Sequence, residues 1–161
     1  TYHDVGIEMS RKDTEEFERL YRAYQTEISL SEGVEEFLDY CKAHNIFIAI
    51  LTNGRPKSQY AKVIALDLHR WFDDDHIFIS GGIGYQKPDP MAFQYIEKMF
   101  ALNPEETWYI GDTYEADVVG ADGAGWHTVW FNHRNRERLE NCADVTVRSI
   151  EELSRFIKER S

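Results

Sequence analysis

Apolar positions along this chain follow two rhythms that take turns. Over residues 13–28, Phe17, Leu20, Tyr21, Tyr24 and Ile28 fall at helical spacing, with Glu15, Glu18, Arg19 and Arg22 on the opposite face. Asp13 is placed to cap this helix, and Glu16 to close a capping box. A second amphipathic helix is expected over 32–44, with Val34, Phe37, Leu38 and Cys41 on one face. The rhythm then changes: Ile46 to Leu51 is an unbroken apolar run, the pattern of a strand covered on both faces. Pro56 suits the start of the next helix, which runs through Tyr60, Val63 and Ile64 to about Leu68. A strand from His76 to Ser80 leads into a flexible Gly81-Gly82-Ile83-Gly84 segment. A helix from Pro90 to about Leu102 is broken by Asn103-Pro104, and Thr107 to Ile110 follows as a strand. A helix over about 115–124 stops at Gly125. His127 to Phe131 and the shorter Val145 to Val147 are the last strands. Ser149 caps the final helix, with Glu152 in the box position and Ile150, Leu153, Phe156 and Ile157 inward.

Strands that alternate with helices, and are buried on both faces, predict an α/β fold: a Rossmann-like parallel sheet with helices on both sides. Ligands of such sheets bind at the carboxyl ends of the strands. Three polar motifs fall at or just after those ends: Thr52-Asn53-Gly54, Lys87-Pro88-Asp89-Pro90, and Gly111-Asp112 with Asp117. They can therefore converge.

Composition narrows the partners. The 161 residues suit one domain, and a net charge of -11 argues against nucleic acid or anionic membrane. No apolar run approaches the roughly 18 residues of a membrane span, and no signal peptide is evident. Cys41 and Cys142 are too few for a disulfide framework, so reduced thiols and a cytoplasmic location are expected. The chain opens at Thr1, with Met9, Met91 and Met99 inside apparent elements or their approaches, as if it began within a longer natural chain.

The three motifs share one chemistry. Thr52 offers a hydroxyl at a strand end, and Asn53 and Gly54 offer N–H groups in a turn. Lys87 supplies a compact positive charge, which Pro88 presents ahead of the helix. Asp112 and Asp117 would repel if both were charged and unpaired, and a hard divalent cation such as Mg²⁺ relieves this. Alone, each motif has an ordinary explanation: a strand-to-helix turn, a solvated helix start, a capping aspartate. Together, and in this order, they suit a phosphoryl group and a metal.

From about Leu30 to Phe156 the chain resembles a haloacid dehalogenase (HAD) superfamily hydrolase of the subfamily with a helical cap near the N-terminus. The likeness includes Trp71-Phe72, Gly81 to Pro90, Ala121 to Gly125 and Thr128 to Asn132. It implies that residues 1–28 are the C-terminal part of the cap and 29–161 the core. It also implies that Thr52, with Asn53 and Gly54, binds phosphate, that Lys87 steadies phosphate and nucleophile, and that Asp112 and Asp117 hold Mg²⁺. One departure matters. The family's Asp-x-Asp, whose first carboxylate attacks phosphorus and whose second is the general acid and base, is missing. The one Asp-x-Asp here, Asp73 to Asp75, follows a helix and precedes a strand, so it is expected to be a solvated loop. The strand that carries the motif in the family lies between those ending at Leu51 and Ile110. Without it, two buried edges face each other across a slot, and the chain alone should be poorly stable. About 70 further N-terminal residues, or another polypeptide, would fill that slot.

The resemblance thus implies a Mg²⁺-dependent phosphatase for a small phosphomonoester, a nucleotide or sugar phosphate, acting through an aspartyl-phosphate whose nucleophile lies outside this chain. A non-catalytic binding or scaffold protein is the alternative. Family dehalogenases carry Ser and Asn where this chain has Gly111-Asp112, which counts against that activity. Other features have ordinary readings: Trp108, Trp126 and Trp130 are expected in the core or its rim rather than as a stacking platform, the basic cluster His133 to Arg138 in a solvated loop rather than as a substrate clamp, and Glu115 at a helix start, with a reach to the metal through water as its alternative.

Overall fold

The structure, a computed structural model, describes residues 10, 12, 13, 15, 16, 19, 27–138 and 140–160. The cap assignment for 1–28, and most of the helix expected over 13–28, lie outside the described residues. Where that helix is described, its cap differs from expectation. Ser10 is the capping residue: its Oγ accepts from the Asp13 N–H at 3.2 Å and donates to Asp13 Oδ2 at 2.6 Å. Asp13 already lies inside the helix, and Glu16 pairs instead with Arg19 at 2.7 Å.

In chain order the remaining elements are α1 (Val34–Ala43), β1 (Ile50–Thr52), α2 (Pro56–Ala65), β2 (Ile77–Ile79), α3 (Ser80–Ile83), α4 (Pro90–Phe100), β3 (Trp108–Gly111), α5 (Tyr114–Gly123), β4 (His127–Phe131), β5 (Val145–Val147) and α6 (Ile150–Lys158). Every strand pairing is parallel, as the apolar runs predict. β1 lies beside β2, with Ile50 opposite Ile77. β3, β4 and β5 form a second sheet, with Trp108 opposite His127 and Val129 opposite Val145.

No backbone strand pairing joins the two sheets among the described residues. Between β1 and β3 lies a cavity of about 600 Å³, lined by Leu38, Ile48, Leu51, Trp108, Ile110 and Ile157 among others. These are the two edges that the sequence predicts will flank a further strand. One core cluster nevertheless joins the sheets: Leu51 and Phe78 from the first pack with Phe93 and Ile96 of α4, Ala121 of α5 and Trp126. Phe93 is fully buried, which stabilises the fold by about 1.5–3 kcal/mol. Helix α4 aims this apolar face because Asp89 caps it, accepting from the Met91 N–H at 2.9 Å, and Pro90 opens its first turn. A second cluster packs Leu153 and Phe156 of α6 on Val129 and Val147.

Two local expectations fail for tertiary reasons. Of the apolar run 46–51, only Ile50 and Leu51 enter β1, and Phe47 is exposed. Its ring packs beside His76 and Phe100, and the Ile48 carbonyl meets the His76 ring rather than a neighbouring strand. β2 begins only at Ile77, so the earlier residues have no strand to pair with. The Gly81–Gly84 segment is not a loop but continues α3, which ends where Gly84 takes a φ of 83°. It is tied down by the Gly81 N–H, which donates to the Gly54 carbonyl at 3.1 Å. Asp73, Asp74 and Asp75 are exposed, as expected of a solvated segment, although Asp74 and Asp75 enter a 3-10 turn. Trp126 and Trp130 are buried.

Candidate active site at the carboxyl ends of the strands

The turn after β1 grips the segment before α4. Asn53 does this with both ends of its amide: Nδ2 donates to the Lys87 carbonyl at 2.8 Å, and Oδ1 accepts the Lys87 N–H at 2.9 Å. The Gly54 N–H donates to Ser80 Oγ at 2.9 Å, and Thr52 Oγ1 donates to Gln59 Oε1 at 3.2 Å. Two groups expected around a phosphate, the Thr52 hydroxyl and the Gly54 N–H, are thus engaged within the protein, and the Asn53 side chain fixes the backbone that carries the lysine. The Lys87–Pro88 peptide is cis.

Lys87 reaches inward. Its Nζ lies 2.6 Å from Asp117 Oδ1 and 2.7 Å from the Tyr109 hydroxyl. The lysine side chain is 11% exposed and the aspartate 6%, so this is a buried ion pair. Such a pair persists only when its remaining hydrogen-bonding capacity is met. Asp117 Oδ2 accepts the Thr113 N–H at 2.9 Å, at the start of α5, where the helix dipole also favours a negative charge. Tyr109 accepts from Lys87 and donates to the Leu51 carbonyl at 3.1 Å, which bridges the two sheets. Burial pushes the Tyr109 hydroxyl well above its ordinary pKa, and the charge of Asp117 pushes it further, so it stays a neutral donor.

Two glycines make this packing possible. A Cβ on Gly111 would stand 2.3 Å from the Asp117 Cβ, so only glycine at the end of β3 lets that side chain lie against the strand. A Cβ on Gly120 would stand 2.8 Å from the Phe93 ring and 2.9 Å from the Pro88 Cα, so α5 presses directly on the segment that carries Lys87.

Asp112 faces the other way. Its carboxylate is 39% exposed and, among the described residues, meets Thr113 Oγ1 at 3.2 Å, His133 Nε2 at 3.4 Å and Arg134 Nη2 at 3.6 Å. The described residues contain no cluster of three or more His, Cys, Asp or Glu side chains able to hold a metal ion. Magnesium rarely needs one, since it keeps several waters and takes one or two carboxylates beside a phosphate. Asp112, a hard oxygen donor on an open rim with weak partners, fits that role. Both Asp117 oxygens are already engaged within the protein.

Lys87, Asp117 and Asp112 therefore belong to one hydrogen-bonded series, from the Leu51 carbonyl through Tyr109, Lys87, Asp117 and Thr113 to Asp112. Asn53 and Gly54 support its base. The Thr52 hydroxyl is turned to Gln59. Sequence patterns left out Tyr109, His133 and Arg134. A tyrosine inside a buried apolar strand was the available signal for the first, because its hydroxyl must find a partner. The other two are visible in the sequence only as members of the basic cluster His133 to Arg138.

Comparison with known proteins agrees with this fold. The family model of haloacid dehalogenase-like hydrolases matches residues 3–125. A glyceraldehyde 3-phosphate phosphatase of Pyrococcus furiosus is 31% identical over 125 residues, 75% of this chain and 51% of its own length. A phosphoserine phosphatase of Thermus thermophilus is 34% identical over 147 residues, 91% of this chain and 57% of its own. The chain thus spans about half the length of the curated relatives it matches. The crystal structure of the HAD-hydrolase YfnB of Bacillus subtilis, bound to magnesium, aligns with a TM-score of 0.80 at 29% identity, covering 97% of this chain and 67% of that one. Alternating helices and parallel strands, a lysine and carboxylates gathered at the strand ends, and a family match over most of its length place one conclusion beyond the fold: this chain belongs to the haloacid dehalogenase-like hydrolases.

Proposed function

We propose that the intact protein is a Mg²⁺-dependent phosphatase that hydrolyses a small phosphomonoester through an aspartyl-phosphate. The observation that carries this is the buried Lys87–Asp117 pair, held at the strand ends beside the accessible carboxylate of Asp112. Phosphoryl transfer depends chiefly on positioning and charge stabilisation, and these residues serve both. Lys87, fixed through its backbone by Asn53 and through its ammonium by Asp117 and Tyr109, neutralises charge on the phosphate and on the attacking carboxylate. Thr52 turns its hydroxyl from Gln59 to a phosphate oxygen. Asp112 would hold the metal, with Asp117 orienting the groups around it; when bound, the metal neutralises phosphate oxygens.

The attacking carboxylate belongs to a segment other than these 161 residues, entering beside β1 and β3. Nucleotide and sugar phosphates are the substrate classes expected from the sequence. The relatives' names extend this to phosphorylated three-carbon compounds. The proposed compartment is the cytoplasm: Cys41 and Cys142 are free, and no helix among the described residues is long and apolar enough to cross a membrane. The acidic balance makes nucleic acid and anionic membrane poor partners.

The test is a panel of phosphorylated metabolites offered to the full-length protein with Mg²⁺ and again after chelation. Phosphate release from at least one ester, lost on chelation, is expected. No release from any would support a non-catalytic binding role instead. The 161-residue chain alone should release none.

A further inference from the structure

Lys87 is sealed between Asp117 and Tyr109, so it cannot also reach a group on the far side of a substrate. The basic side chains recorded against Asp112 among the described residues come from the loop after β4. That loop has a rigid base. Asn132 is 4% exposed, and its side chain binds Arg136 twice, Oδ1 accepting the Arg136 N–H at 2.8 Å and Nδ2 donating to the Arg136 carbonyl at 2.9 Å. The Asn132 N–H donates to the Val147 carbonyl at 2.7 Å, and His133 stacks on Phe131. The tips are loose by contrast. His133 and Arg134 are 40% and 57% exposed and meet Asp112 at 3.4 and 3.6 Å. Exposed pairs at such distances hold each other weakly and exchange partners readily. The neighbouring Arg138 is already taken, paired with Glu115 and stacked over the Tyr114 ring at 4.0 Å.

We propose that Arg134 is a specificity-determining residue. It rests on Asp112 while that carboxylate carries no metal, and turns to a carboxylate on the substrate once a divalent cation takes Asp112. The guanidinium keeps its charge at any working pH, so displacement frees it to pair with an anion that enters beside it. Its planar fork matches a carboxylate with two parallel hydrogen bonds, and one cation balances one charge. The preferred substrate is then a small phosphomonoester that also bears a carboxylate. The proposal rests on the phosphatase reading and narrows it.

Two measurements on the full-length protein test it. The first compares kcat/KM for O-phosphoserine and for glycerol 2-phosphate, an ester of similar size without a carboxylate. Arg134→Ala should lower the O-phosphoserine value about tenfold more than the glycerol 2-phosphate value, mainly through KM, and Arg134→Lys should restore part of the difference. An equal loss on both esters, or none, overturns the proposal. The second is a calorimetric Mg²⁺ titration without substrate. Arg134→Ala should bind the ion about threefold more tightly, because a competitor for Asp112 is gone. Unchanged affinity overturns the resting position. If the wild-type protein turns over neither ester, nor any of the panel above, the phosphatase reading fails, and the titration still decides whether Arg134 guards Asp112.

Discussion

The two carboxylates of the third motif stand five positions apart in sequence and live in different surroundings. Asp117 lies on the floor of the site, 6% exposed, bonded to a lysine and to a backbone N–H, with its side chain pressed against a glycine. Asp112 lies on the rim, 39% exposed, with loosely held partners from one loop. The floor is built as the core is built, so removing either charge of the pair alone should cost stability. The rim contributes little to the fold and can exchange partners. On the proposed reading, Asp117 holds one cation permanently and Asp112 another only in use, which calls for both kinds of carboxylate.

Breaking the floor should have the largest effect. Lys87→Met leaves Asp117 buried and uncompensated, and should cost about 3–5 kcal/mol of stability by denaturant titration. Lys87→Met combined with Asp117→Leu should recover most of that loss while leaving the protein inactive. A single variant as stable as wild type would mean that the pair is not buried in solution. The rim should behave in the opposite way. Asp112→Asn should lower Mg²⁺-dependent turnover of the full-length protein about a thousandfold, since a lost metal contact is worth several kcal/mol of barrier. Its stability should stay within about 0.5 kcal/mol of wild type. A large stability loss in this variant would erase the distinction between floor and rim. Gly111→Ala sharpens the contrast at the point where the two meet. Its Cβ would collide with Asp117, so it should cost about 1–3 kcal/mol and weaken vanadate binding through the displaced Lys87.

The contrast between the carboxylates marks what could be read from the sequence. Apolar runs and helical spacing announce the alternation of elements, and so the strand ends where Lys87, Asp112 and Asp117 gather. Spacing alone treats the two aspartates as equivalent. Which of them takes the lysine depends on the close approach that Gly111 permits and on how α5 packs at Gly120, both tertiary facts. The six-residue apolar run from Ile46 is another example. A strand needs a partner as well as a pattern, and β2 starts too late to pair with residues 46–49. Ser10, rather than Asp13, caps the N-terminal helix because both can serve as caps, and local sequence does not decide between them. His133 and Arg134 looked like a solvated loop, and most of that segment is exposed. The buried Asn132 that aims them at Asp112 is visible only in the folded chain.

The smallest effect concerns the hydroxyl that joins floor and core. Tyr109→Phe removes the donor to the Leu51 carbonyl and the acceptor for Lys87, and should cost about 1 kcal/mol near neutral pH. The cost should change with pH in a defined direction. In the folded protein, burial and Asp117 hold the Tyr109 pKa well above 10. In the unfolded chain a tyrosine ionises at about 10. Below that value both states keep the proton, and the contribution of Tyr109 is fully present. Above it, only the unfolded state gives up the proton, so wild-type stability falls by about 1.4 kcal/mol per pH unit on this account until the folded pKa is reached. The phenylalanine variant lacks this slope. Tyr60 and Tyr114 are also shifted upward, but they are common to both proteins and cancel in the difference. Denaturation midpoints measured from pH 7 to 11 should therefore show wild type above the variant at first, with the gap closing only beyond about pH 10. A constant gap across that range would mean that Tyr109 is open to water, and that the floor of the site is less sealed than its lysine and aspartate require.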